Sequence, residues 1–175
     1  MLDWRLGNTY SSPSGQVRWD RFGDPDGEPV VLLHGTPFSS FIWRGIARAL
    51  AQHHQVYVWD MPGYGTSDTC QDQDISLAAQ ARIFADLLDR WRLAEPAVVA
   101  HYSGGAVALG AHLLHGAPYR RLALVDAVAL APWGSAFFEV VGDHASGFER
   151  LPASGPRAEA QVITASRPPA RRPAW

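Results

Sequence analysis

The chain has little of the chemistry that marks secreted, membrane-anchored or metal-binding proteins. Its single cysteine, Cys70, excludes an internal disulfide and is typical of a reducing compartment, so we expect a cytoplasmic protein. The amino terminus has no basic segment followed by an apolar stretch, which predicts no signal peptide. No spacing of Cys, His and acidic residues suggests a zinc site, and we expect neither a metal nor another cofactor.

Charge and long apolar runs are also scarce. The 15 basic and 17 acidic residues give a net charge of −2, which argues against a nucleic-acid partner. The longest apolar region, residues 122–141, is interrupted by Asp126, Pro132, Gly134 and Glu139, so no membrane partner is expected either. A chain of 175 residues with 47% hydrophobic content is long enough for one domain with a buried core.

Short apolar runs alternate with amphipathic segments along the first two thirds of the chain. Such an order favours an α/β protein with a mostly parallel sheet and helices on both faces. The pattern predicts a hairpin at the sheet edge over residues 9–22, strands at 29–33, 55–60, 98–101 and 122–125, and helices at 41–53, 76–92 and from about 103. On the helix at 41–53 the predicted buried face is Trp43, Ile46, Ala47, Leu50 and Ala51.

Residues 98–109 have the layout of a nucleophile elbow, in which a buried strand makes a sharp turn into a helix. The pattern requires small residues around the nucleophile, because strand and helix approach closely there. In this register Tyr102 takes the nucleophile position, followed by Ser103. Free tyrosine is a weak nucleophile, with a pKa of about 10. Alternatively, the elbow slips by one residue so that Ser103 attacks, which places His101 where a small residue is normal.

The strand at 29–33 runs directly into His34, Gly35, Thr36 and Pro37. From such a position a backbone amide is aimed at a developing oxyanion, and the residue after the nucleophile supplies the second amide. We therefore expect an oxyanion hole made by the amides of Thr36 and Ser103. We expect His34 and Gly35, together with His101, to line the site.

Polar residues end four of the predicted parallel strands, at His34, Asp60, Tyr102 and Asp126. Because ligands of such sheets bind at the carboxyl ends of the strands, these residues are expected to converge on one crevice. Asp126 has two interpretations: it is a catalytic acid, or it caps the following turn by bonding its own backbone.

These motifs together resemble the α/β-hydrolase superfamily, and in it the lid-bearing branch of haloalkane dehalogenases and epoxide hydrolases. The resemblance runs from about residue 16 to about residue 150, through segments 34–37, 59–67, 100–106 and 124–129. It implies cofactor-free hydrolysis of a small apolar substrate through a covalent intermediate. In that branch an aspartate stands where this chain has Tyr102; Asp126 resembles the acid of the triad, and Asp60 a residue that supports a turn.

The carboxy-terminal part does not match what this family requires. We expect residues 1–131 to form the hydrolase core, 132–153 the start of a lid and 154–175 a disordered tail, rich in Ala, Arg, Pro and Ser. The last strands and the late histidine are then missing, as after truncation or a frameshift, and little turnover is expected. One alternative is a weak serine esterase using Ser103. Another is a non-catalytic fragment that either binds a small apolar ligand or pairs with another chain, such as a second copy of itself, through its exposed sheet edge.

Overall fold

A six-stranded mixed sheet forms the centre of the part of the chain that the structure describes. The structure is a computed structural model and describes residues 4–128. The strands lie in the order β1-β2-β4-β3-β5-β6. Their bounds are β1 Asn8–Ser12, β2 Gly15–Gly23, β3 Glu28–Leu33, β4 His54–Trp59, β5 Ala97–His101 and β6 Arg121–Val125. The strands β3 to β6 run parallel. The strand β2 forms an antiparallel hairpin with β1 and is antiparallel to β4. The predicted α/β class with a mostly parallel sheet and the predicted hairpin are confirmed.

Three α-helices connect the parallel strands. They are α1 Arg44–Leu50, α2 Leu77–Trp91 and α3 Ser103–His115, and a 3-10 turn at Ser40–Trp43 precedes α1. The Ser76 hydroxyl caps α2 by accepting the Ala79 N–H. A left-handed Gly116 ends α3.

The first helix differs from its prediction in length and in its buried face. A single helix was expected over 41–53, but the chain forms a 3-10 turn followed by seven helical residues. Trp43 and Ala47 are buried against the sheet, whereas Ile46 is 50% exposed. Trp43 and Ala47 are four residues apart and share a helix face, while Ile46 lies about 100° away from Ala47 around the axis. The prediction that Ile46 is buried was therefore wrong.

The two faces of the sheet pack against different helices. On one face Val30, Leu32, Val56 and Val58 form a cluster with residues that include Trp43 and Ala47. Because side chains alternate along a strand, the residues between them point to the other face. There the Trp59 ring stacks on Phe84 of α2 at a centroid distance of 5.7 Å, and Tyr57 packs on Trp91 at 5.0 Å. Helices thus cover both faces, as expected.

Small residues bring α3 against α2 on this second face. A Cβ added at Gly110 would lie 2.9 Å from the Cβ of Ala81, so the two helices touch at this point. Val107, Ala108 and Ala111 of α3 are buried. This packing fixes α3 with its amino terminus at the carboxyl edge of the sheet.

Within residues 4–128 the last strand, β6, pairs only with β5, and its Leu124 and Val125 are each 44% exposed. Self-association through this edge stays a prediction. No helix in the same range is long and apolar enough to cross a membrane. The predicted lid at 132–153 and the predicted tail at 154–175 lie outside the described residues.

Candidate functional site

The carboxyl ends of β3, β4, β5 and β6 meet at one edge of the sheet. His34, Asp60, Tyr102 and Asp126 each follow directly after one of these strands. Leu33 lies opposite Ala100, and His101 lies opposite Val125, so the strand ends are in register. The Tyr102 N–H donates to the Val125 carbonyl at 3.1 Å. The four residues are thus brought to one edge by the parallel register.

Tyr102 is the residue at which the chain turns from β5 into α3. Its φ of 52° and ψ of −122° lie in a region that side-chain-bearing residues rarely adopt. Its carbonyl oxygen accepts the N–H groups of Gly105 at 3.0 Å and Val128 at 3.2 Å. Ser103 is already the first residue of α3. The structure therefore has Tyr102, and not Ser103, at the apex of the elbow.

Two glycines allow the end of β3 to lie against this elbow. A Cβ at Gly104 would be 2.4 Å from the His34 carbonyl oxygen, and a Cβ at Gly35 would be 2.5 Å from the Cβ of Tyr102. Real Cβ atoms do not approach backbone oxygens so closely. Glycine is therefore required at both positions, which explains the small-residue pattern around the apex.

The predicted oxyanion donor Thr36 is already engaged. Its N–H donates to the Ser103 Oγ at 2.9 Å, and Ser103 is only 8% exposed. In the structure this amide therefore donates to Ser103, and the oxyanion hole of Thr36 and Ser103 stays a prediction. The same bond holds the Ser103 hydroxyl away from the apex position that a nucleophile would need.

His34 does not line the crevice, contrary to expectation, because it is completely buried. Its Nε2 accepts the Met61 N–H at 2.9 Å, and its Nδ1 lies 3.2 Å from the Gly35 carbonyl oxygen. An accepting Nε2 requires the neutral ring with its proton on Nδ1. Burial lowers the pKa of His34 to about 4, and Asp60 opposes that shift. His34 thus joins the end of β3 to the loop after β4.

Asp60 has a structural role, as the resemblance implies. It is 2% exposed. Its carboxylate accepts the Ser40 N–H at 2.7 Å, the Thr66 N–H at 2.8 Å and the Thr66 hydroxyl at 2.9 Å. These bonds fix the loop after β4 against the start of the 3-10 turn.

An aromatic cluster surrounds His101 beside the apex. The rings of Phe38, Trp43 and Tyr102 lie 6.1, 6.3 and 6.1 Å from the imidazole, centroid to centroid. The Nδ1 of His101 is buried and has no hydrogen-bond partner among the described residues. Phe38, which is 47% exposed, was missed by the sequence analysis. Its position directly after the His34–Pro37 motif was the available signal.

Asp126 lies beside the apex on the neighbouring strand end. It is exposed and has a φ of 48°. Among the described residues its side chain makes no hydrogen bond, so the proposed bond to its own turn is not observed. Within residues 4–128 no group of three or more His, Cys, Asp or Glu residues could hold a metal ion.

This combination of sheet order and elbow agrees with a family comparison. A family model described as alpha/beta hydrolase fold matches residues 28–165, which is most of the chain. The chain belongs to the α/β-hydrolase family. Its relatives include a pimeloyl-[acyl-carrier protein] methyl ester esterase of Aeromonas salmonicida, 39% identical over 41% of this chain and 28% of the esterase.

Two further α/β-hydrolase comparisons extend over more of the chain. A cis-3-alkyl-4-alkyloxetan-2-one decarboxylase of Xanthomonas campestris is 31% identical over 61% of this chain and 38% of that protein. The crystal structure of an alpha/beta hydrolase fold protein from Burkholderia ambifaria is 37% identical, with a TM-score of 0.83 over 95% of this chain and 73% of that one. The chain thus spans less than two fifths of the length of the two curated relatives described here.

The close approach at the elbow can be tested with two glycine substitutions. Gly104→Ala should lower the free energy of unfolding by about 3 kcal/mol, because its Cβ meets backbone carbonyl oxygens of β3. Gly45→Ala is the matched control, since nothing lies within 4 Å of its Cβ in α1. It should raise stability by about 0.5 to 1 kcal/mol. Urea unfolding measures both, and equal effects would contradict the geometry.

The buried neutral His34 predicts a pH dependence of stability. Its pKa is about 4 in the folded state, below the value of about 6.5 in the unfolded state, so the unfolded chain binds more protons between those values. The contribution is complete above pH 6.5 and is lost as the pH falls towards 4, by about 3 kcal/mol in total. Urea unfolding at a series of pH values measures this loss.

His34→Gln should flatten this pH profile, because an amide does not titrate. His53→Gln is the control, since His53 is exposed and the profile of that variant should follow the unsubstituted chain. An unchanged profile in His34→Gln would show that other groups cause the acid sensitivity.

Proposed function

We propose that this α/β hydrolase acts on a small apolar substrate through a covalent intermediate, as in the lid-bearing branch of haloalkane dehalogenases and epoxide hydrolases, and that its turnover is impaired at the apex. The observation that carries the proposal is the left-handed Tyr102 at the junction of β5 and α3. That position projects its side chain beyond the edge of the sheet, where the branch has its nucleophile.

The surroundings of the apex support an apolar substrate. Phe38 and Tyr102 contact the His101 ring, and Phe38 is nearly half exposed. The rings of Phe38, His101 and Tyr102 form an aromatic wall. Such a wall favours the binding of an uncharged molecule, because the molecule buries apolar surface against the rings. Two relatives are named for a pimeloyl-[acyl-carrier protein] methyl ester and for a cis-3-alkyl-4-alkyloxetan-2-one, and the ester and oxetan-2-one groups in these names are uncharged, which supports an uncharged reacting group in the substrate.

The proposed chemistry predicts low turnover. In the branch, a carboxylate attacks the substrate carbon and forms an ester as the leaving group departs, and activated water then hydrolyses the ester. A phenolic hydroxyl at the apex is bulky and is a poorer nucleophile than a carboxylate, so the first step is slow. Asp126, at the neighbouring strand end, is the proposed acid that orients the base. Loss of a nucleophile typically costs several orders of magnitude in rate.

An esterase that uses Ser103 is the less favoured alternative. Ser103 lies in the first turn of α3, is 8% exposed and accepts the Thr36 N–H. A nucleophile in this fold is expected at the strained apex instead. A second alternative is a non-catalytic role in which the aromatic wall holds a small apolar ligand. The exposure of Phe38 supports this alternative.

Restoring a carboxylate at the apex tests this proposal. Tyr102→Asp, incubated with a short 1-bromoalkane, should form a carbon–oxygen ester as the carbon–bromine bond breaks and bromide leaves. The protein mass then rises by one alkyl group, and intact-protein mass spectrometry measures it. Formation of the ester does not need the histidine that hydrolyses it, so the adduct should accumulate to about one per chain if hydrolysis is slow.

The unsubstituted chain and Tyr102→Asn are the controls, and all three proteins carry Cys70→Ser because bromoalkanes alkylate the exposed thiol of Cys70. Neither control should acquire the adduct. The unsubstituted chain should also hydrolyse haloalkanes, epoxides and short esters no faster than buffer. Ordinary enzymatic turnover by the unsubstituted chain would contradict the proposed impairment. The absence of both adduct and bromide release in folded Tyr102→Asp would contradict the assigned nucleophile position.

A further inference from the structure

We propose that Ser103 is a positioning residue: its hydroxyl anchors the Thr36 amide and thereby closes that donor to ligand oxygens. The Thr36 N–H lies 2.9 Å from the Ser103 Oγ, across 67 residues of sequence. This bond joins the loop after β3 to the first turn of α3. This inference rests on the proposed function in one respect, the expectation that the Thr36 amide would donate to an oxyanion if Ser103 did not accept its proton.

The chemistry of an amide donor makes this bond exclusive. A backbone N–H has one proton, and a well-aligned bond to one oxygen leaves none for a second acceptor of equal strength. Ser103 is 8% exposed, so its oxygen competes with little water for that proton. Thr36 is half-buried, and the Ser103 hydroxyl supplies the acceptor for its N–H in the absence of substrate.

The anchored loop also carries part of the aromatic wall. Gly35 lies against the apex, and the Phe38 N–H donates to the Gly35 carbonyl oxygen at 2.9 Å. The Phe38 ring in turn lies 6.1 Å from His101. The Ser103 hydroxyl therefore fixes two features of the crevice together, the direction of the Thr36 amide and the position of the Phe38 ring.

Amide hydrogen exchange measured by NMR tests the anchor without any assay of activity. In the unsubstituted chain the Thr36 amide should exchange slowly. In Ser103→Ala its exchange should rise about tenfold, because one hydrogen bond is lost, while the amides of Val31 and Leu33 in β3 keep their rates. Ser103→Thr, which keeps the hydroxyl, should restore the protection of Thr36.

Ser67→Ala is a matched control, because Ser67 is also buried and its hydroxyl accepts a backbone N–H, that of Arg18, at 2.8 Å. This variant should deprotect Arg18 and leave Thr36 unchanged. Rapid exchange of Thr36 in the unsubstituted chain, or unchanged protection in Ser103→Ala, would overturn the proposal. The first of these outcomes is decisive even if Ser103→Ala fails to fold.

A titration with butyrate tests whether the amide is closed to ligands. The Thr36 amide resonance should not respond in the unsubstituted chain and should shift saturably in Ser103→Ala. A saturable shift of equal size in both proteins would overturn the closure. Failure of the bromoalkane experiment would leave these results unaffected, so the two proposals are tested separately.

Discussion

The close approach of two backbone segments, the end of β3 and the first turn of α3, is the constraint on which the rest of the site depends. Because Gly104 has no Cβ, the His34 carbonyl oxygen can lie against its backbone, and Gly35 accommodates the Cβ of Tyr102 for the same reason. Neither contact tolerates a larger residue. With these two segments in contact, the chain passes from β5 into α3 through a positive-φ conformation at Tyr102.

Buried polar groups in the loops after β3 and β4 maintain this contact. Neutral His34 accepts the Met61 N–H, and the Asp60 carboxylate accepts the N–H groups of Ser40 and Thr66. Each bond satisfies a backbone donor in a loop that would otherwise need water. These bonds therefore hold the loops after β3 and β4 to each other. They also fix the surface that the two loops form, although it contains few helical or strand residues.

Much of this arrangement could be predicted from the sequence because it repeats simple patterns. Apolar runs ending at His34 and His101 indicated parallel strands, and the pair Gly104 and Gly105 indicated the elbow. These features are local, since backbone sterics and side-chain period decide them. The same reasoning failed for the bond from Thr36 to Ser103, which joins residues far apart in the chain and depends on an ångström-scale distance.

The other differences have equally specific causes. A histidine after a strand looks like a site residue, but His34 is buried because its ring fits the space beneath the β4 loop and bonds backbone there. Ile46 belongs to an apolar helical pattern, yet the short α1 packs Ala47 and Leu50 against the sheet and leaves Ile46 half exposed. Phe38 lies beside His101 because of the fold of its loop, which no residue period describes.

The most direct measurement of the central claim is a crystal structure of the chain, read at the junction of β5 and α3. The account predicts one left-handed residue there, Tyr102, with its carbonyl accepting the Gly105 N–H and with the backbone at Gly104 against the His34 carbonyl. A left-handed Ser103 at the apex, with Tyr102 extended as the last residue of the strand, would contradict it.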